Sequence, residues 1–175
     1  MEFVLDNGSI RVALSTAGGS FTSIKANGRE YLWQGDPAVW SGQAPICFPI
    51  CGGLREGRAM TMGGHEVKLA RYTIDSEKVA VSYEVPNEGT EDMPFFVGGH
   101  PGFKCPLDEG ESYDDYELRF EQREATELCT AVPSTGLIDV EHRSKNPMIG
   151  QNLSLTHELF DFAETIFDVL ESRVV

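Results

Sequence analysis

Two stretches of strict alternation decide what this chain can fold into. In VAVSYEV, Val79, Val81, Tyr83 and Val85 alternate with Ala80, Ser82 and Glu84. In DYELRFE, Tyr116, Leu118 and Phe120 alternate with Glu117, Arg119 and Glu121. A period of two puts one set on a core face and the other in water, which is the signature of a half-buried strand. Turn signals separate such runs: Asn27-Gly28, Gly63-Gly64, Asp75-Ser76 and the polar stretch NEGTED at 87–92. RAMTM and HEVKL therefore read as a hairpin around Gly63-Gly64, and FTSIK and REYLW as another around Ala26-Asn27-Gly28. LTHELFDFA (155–163) reads either as a helix or as a loop leading to a strand, and ESRVV (171–175) as the first half of a strand. The expectation is an all-β antiparallel sandwich, one domain over residues 1–175.

Charge narrows the partners. With 14 Lys and Arg against 28 Asp and Glu, the net charge is -14. That charge repels nucleic acid and anionic lipid, and no basic stripe offsets it. No apolar run is long enough to span a bilayer. MEFVLDNGSI carries no basic region followed by an apolar stretch, so no secretory signal is read there and a cytoplasmic location is expected. Cys47 and Cys51 have no second pair at a zinc-ligand spacing, so all four cysteines, with Cys105 and Cys129, read as reduced thiols rather than a metal site.

Two segments have the residue types that chemistry needs. In PFFVGGHPGFKCPL (94–107), Pro101 keeps His100 extended, and Gly98 and Gly99 permit unusual backbone angles or a close approach. The imidazole is then aimed from a strand end, either as a proton donor and acceptor near neutrality or as a ring bonded to a carbonyl. YLWQGDPAVWSGQAPICFPICGGL (31–54) is too irregular for a plain strand. Trp33 and Trp40 there offer faces for a sugar ring, or pins that hold a long loop to the core. Arg55 is placed to bond sugar hydroxyls or to sit on the surface, and Arg58 reads as surface. His65, His142 and His157 read as structural or exposed. No Ser-His-Asp order, phosphate loop or dinucleotide fingerprint is present.

On these segments the chain resembles the aldose 1-epimerase (galactose mutarotase-like) superfamily, and within it the LacX-like branch. The resemblance is carried by GGSFTSIKANGREYLWQGDPAVWSGQAPICFPI (18–50), NEGTEDMPFFVGGHPGFKCPL (87–107) and LFDFAETIFDVLESRVV (159–175). It implies a galactose mutarotase-like β-sandwich and an isomerase that interconverts the α and β anomers of a free hexose-type aldose. It implies no cofactor and no metal. The histidine of the GGHP motif, His100 here, is the implied general acid, and Trp33, Arg55 and Phe103 are the implied substrate-binding residues.

The chain departs from the family pattern at four places. Gly53 stands where the family has a sugar-holding arginine, with Arg55 two residues on. The His-Gly-Phe segment expected after HEVKL has no counterpart: Ala70 runs directly into Arg71 and the next strand pair. The catalytic glutamate expected near the family's C-terminus is not found before Val175. Ala163-Glu164-Thr165 precedes Ile166 where an aspartate is expected, a one-residue shift that in a strand turns a side chain to the other face. These departures predict an internally deleted, truncated and hence incomplete sandwich. Its uncovered sheet edges are expected to be covered in a homo-oligomer, and the alternative to catalysis is a silent carbohydrate-binding remnant.

Overall fold

The computed structural model describes residues 1–48, 69–87, 89–132, 134–161, 164–173 and 175. The hairpin read around Gly63-Gly64 lies outside the described residues, as do Cys51, Gly53, Arg55, Arg58 and His65. The chain divides into two compact units, Met1–Lys104 and Cys105–Val175.

The first unit is built on an antiparallel meander of four strands: β1 (Glu2–Asp6), β2 (Ile10–Ser15), β3 (Ser20–Ala26) and β4 (Arg29–Glu30). Asn27 and Gly28 join β3 to β4 with φ of 51° and 79°. A type I′ two-residue turn has both central residues in that left-handed region, which Asn-Gly adopts with little strain. Residues 7–9, with Gly8 at φ 88°, join β1 to β2. The Asn7 side-chain oxygen accepts the N–H groups of Ser9 and Ile10 at 3.0 and 2.8 Å. A register shift between Ala13 and Leu14 bends β2, so that Val12, Ala13 and Leu14 are all buried in succession.

β5 (Ile46–Cys47), β6 (Leu69–Asp75), β7 (Lys78–Glu84) and β8 (Gly98–Gly99) belong to the same unit. β6 and β7 form a hairpin, with the expected alternation on β7: Val79, Val81 and Tyr83 are half-buried, and Ala80 and Ser82 exposed. The inward side chains of this hairpin pack on the meander's core of Ile10, Val12, Leu14, Phe21, Leu32 and Ala44. Phe21 meets Tyr72 edge-on with ring centroids 4.8 Å apart, and the Tyr72 hydroxyl donates to the Gly19 carbonyl.

The second unit holds β9 (Glu117–Arg119), β10 (Glu127–Val132), β11 (Leu137–Lys145) and β12 (Asn152–Ser154). β10 pairs with β11 and β12 with β9, both antiparallel. Phe120, Leu128, Cys129 and Leu153 are buried. Leu118 departs from its expected core position and is exposed on β9, as are Ile138 and Val140 on β11. Among the described residues of LTHELFDFA, His157–Phe160 form a 3₁₀ turn. Glu171–Arg173 form no strand, contrary to the expectation from ESRVV. That backbone is instead spent on side chains: the buried Glu124 carboxylate accepts the N–H groups of Glu171 at 2.7 Å and Ser172 at 2.9 Å.

Hydrogen bonds from Ser172 and from the backbone of Glu171 hold the Glu124 carboxyl below the ordinary glutamate value of 4.5. A depressed folded-state pKa stabilises the fold above the unfolded value, and this contribution is lost as pH falls through the lower folded value. Acid titration is therefore expected to loosen the 171–173 attachment below about pH 4.5. Glu124→Gln should weaken it at neutral pH and remove that part of the acid dependence. An identical pH–stability curve for the variant, followed by circular dichroism, would refute the assignment.

Candidate active site

The two unusual sequence segments meet. β5 pairs with β8 through Ile46↔Gly99 and Cys47↔Gly98. The ladder continues past the strand ends: His100 N–H donates to the Pro45 carbonyl at 3.0 Å and Gly102 N–H to the Gln43 carbonyl at 2.7 Å. The 98–104 segment also takes the Tyr31–Trp33 stretch. Trp33 N–H donates to the Gly102 carbonyl and Lys104 N–H to the Tyr31 carbonyl, each at 2.8 Å, and Leu32 bridges Phe103. His100 thus lies in a short extended run tied by backbone hydrogen bonds to two other stretches, 43–47 and 31–33.

Of the two glycines before it, Gly99 serves close approach rather than an unusual dihedral. Neither Gly98 nor Gly99 has positive φ. A Cβ on Gly99 would lie 2.9 Å from the Tyr83 hydroxyl oxygen, so a larger residue there would displace that hydroxyl. Burial first, and the Cys47 thiol second, raise the Tyr83 pKa above its ordinary 10.0, so the phenol stays neutral there.

Side chains alternate along this run. His100 and Gly102 face Trp40. The imidazole lies 5.3 Å from the Trp40 ring at an interplanar angle of 46°, and a Cβ on Gly102 would come within 2.7 Å of that indole. Pro101 and Phe103 line a different, largely apolar cleft of about 650 Å³, with Ile24, Tyr31, Val79 and Val81. Phe103 is 66% exposed at that cleft. The structure therefore brings His100, Trp40 and Trp33 together and places Phe103 on the other side of the run. Trp33 contributes through its indole N–H, which donates to the Trp40 carbonyl at 2.8 Å. Arg55 falls outside the described residues.

Further titratable groups are brought together in the second unit. His142 Nδ1 bonds Asp139 at 2.8 Å on an exposed strand, and His157 stacks on Tyr113 at 5.0 Å. Arg143 clasps Asp168 with contacts of 2.7 and 2.8 Å and donates to the buried Cys129 sulfur at 3.4 Å. Glu164 is exposed, and Ile166 bridges Cys129.

The aldose 1-epimerase family model matches residues 69–169, more than half of the chain and including His100. The chain belongs to the aldose 1-epimerase family. This family member is 33% identical to the plasmid-encoded protein LacX of Lactococcus lactis subsp. lactis, and to its chromosomal counterpart, over 100% of its own length and 75% of theirs. That alignment runs over 224 residues while the chain has 175, so at least 49 aligned positions have no residue here. Among solved structures, a galactose mutarotase related enzyme from Lactobacillus acidophilus superposes with a TM-score of 0.77 at 24% identity, over 93% of this chain and 68% of that one. A galactose mutarotase-like protein from Lactobacillus casei ATCC 334 gives 0.71 at 21% identity, over 93% and 70%. At those identities the likeness concerns the fold: predominantly antiparallel β structure, as in the chain itself.

Proposed function

We propose that this chain is an aldose 1-epimerase-type isomerase that interconverts the α and β anomers of a free aldose, on part of a galactose mutarotase-like β-sandwich. The observation that supports this reading best is the placement of His100. Its ring is exposed just past the end of β8, against an indole, within the region matched by the family.

The chemistry is proton traffic alone. His100 gives a proton to the ring oxygen while a base takes the proton of the anomeric hydroxyl. The bond between the anomeric carbon and the ring oxygen breaks, leaving an open-chain aldehyde. Rotation presents the other carbonyl face, the ring oxygen attacks it, and both protons return. An imidazole suits the donor role because its ring nitrogen can give a proton and take it back within one turnover. The acidic protein also has no electrostatic objection to a neutral sugar.

A second reading is favoured by the 49 or more aligned positions that lack a residue here. If the base lay among them, the site would bind sugar without turning it over. Polarimetry of freshly dissolved α-glucose separates the two. Acceleration of mutarotation supports the enzyme. No acceleration, with tryptophan quenching on sugar titration, supports the binding remnant.

A further inference from the structure

We propose that Trp40 is the positioning residue of His100: its indole fixes the imidazole in the orientation from which a proton reaches the sugar ring oxygen. This rests on the reading of His100 as the acid, and it adds a residue to which no role in the acid–base chemistry has been given above.

Backbone ties alone do not aim the ring. The hydrogen bonds of His100 and Gly102 to Pro45 and Gln43 fix the peptide, yet an exposed histidine keeps its side-chain torsions free. The Trp40 ring removes that freedom, tilted at 46° and 5.3 Å from the imidazole. For this to work the indole must itself be fixed, and three features fix it. Its carbonyl accepts the Asp36 N–H at 2.9 Å and the Trp33 indole N–H at 2.8 Å. Its ring is hemmed by glycines: a Cβ on Gly42 would lie 2.5 Å from Cζ2, and one on Gly102 would lie 2.7 Å from Cζ3. The loop that delivers it closes on Gly35, where φ is 77° and a Cβ would meet the Ser41 carbonyl oxygen at 2.9 Å. Glycines packed this tightly around one indole make sense if the position of that indole matters.

The test compares Trp40→Phe and Trp40→Leu with the wild type, using mutarotation kinetics and the imidazole C–H signals of His100 in NMR. The wild type should show a narrow, ring-current-shifted His100 signal. Trp40→Phe should retain most of both the shift and the rate. Trp40→Leu should lose the shift and, since misplacing a reacting group by an ångström costs about 100-fold, lower kcat by about that factor with KM little changed. If Trp40→Leu leaves kcat and the relaxation of the His100 ring unaltered, the proposal is wrong. If the wild type proves inactive, the functional reading fails but positioning is still decided by NMR: a His100 ring equally ordered in Trp40→Leu overturns it, and a disordered one upholds it. Should Trp40→Leu not fold, Gly102→Ala, which pushes the indole aside, is read by the same signals and the same two outcomes.

Discussion

Replacing His100 by asparagine is expected to lower the mutarotation rate of the chain by roughly 10²–10⁴-fold, the usual contribution of a general acid–base group. Asparagine keeps a planar polar side chain of similar reach and still offers a hydrogen bond to a ring oxygen. What it lacks is a proton that comes and goes near neutrality. Sugar affinity, followed by tryptophan fluorescence, should therefore change little while turnover falls. The fold should be unaffected, because the ties at this position run through the His100 backbone N–H rather than the ring. A variant as fast as the wild type would remove His100 from the mechanism. A wild type with no rate to lose, binding sugar as well as the variant does, would favour the silent remnant.

The second large effect is on stability. Leu32→Ala should cost about 2–5 kcal/mol, the range for truncating a fully buried leucine. Leu32 has no exposed surface and sits in the core with Ile10, Val12, Leu14, Phe21 and Ala44. Its backbone also joins the core to the active segment, through the bridge to Phe103 and through its N–H, which donates to Glu30 at 3.1 Å. Collapse around the missing side chain would thus strain the run that carries His100. Urea denaturation measures the loss, with Val39→Ala as control: Val39 is 78% exposed and its truncation should stay within about 0.5 kcal/mol. Equal midpoints for the two variants would show that Leu32 is not a core residue.

What the sequence revealed depended on whether local chemistry decides the structure. Alternation on β7 survives because one face packs on the meander and the other meets water. Asn27-Gly28 is a hairpin because only such residues take its dihedrals cheaply. Leu118 sits in an equally regular run but is exposed, since alternation tells which residues share a face and not whether anything covers it. ESRVV had strand-forming composition, yet a buried carboxylate, Glu124, takes up the N–H groups of Glu171 and Ser172 from some fifty residues away. At the site, Gly98-Gly99-His100-Pro101 announced an aimed imidazole. That Trp40 packs on it, and that Phe103 turns to another cleft, depended on how two distant segments pair, which no local pattern encodes.

That pairing also bears on the order of assembly. The β6–β7 hairpin closes across two residues, Ser76 and Glu77, whereas Ile46↔Gly99 closes a loop of about fifty. Contacts that close long loops lose more chain entropy before they return any energy, so they form late. Two-residue β5 and β8 offer little to hold them once formed. The histidine segment should then be the last part of its unit to settle and the first to open. Amide exchange would show it: the His100 N–H should exchange well before those of Val12 and Val81. On this view the proposed catalytic geometry is a late and shallow feature of the folding landscape, resting on a hairpin core that stands before it.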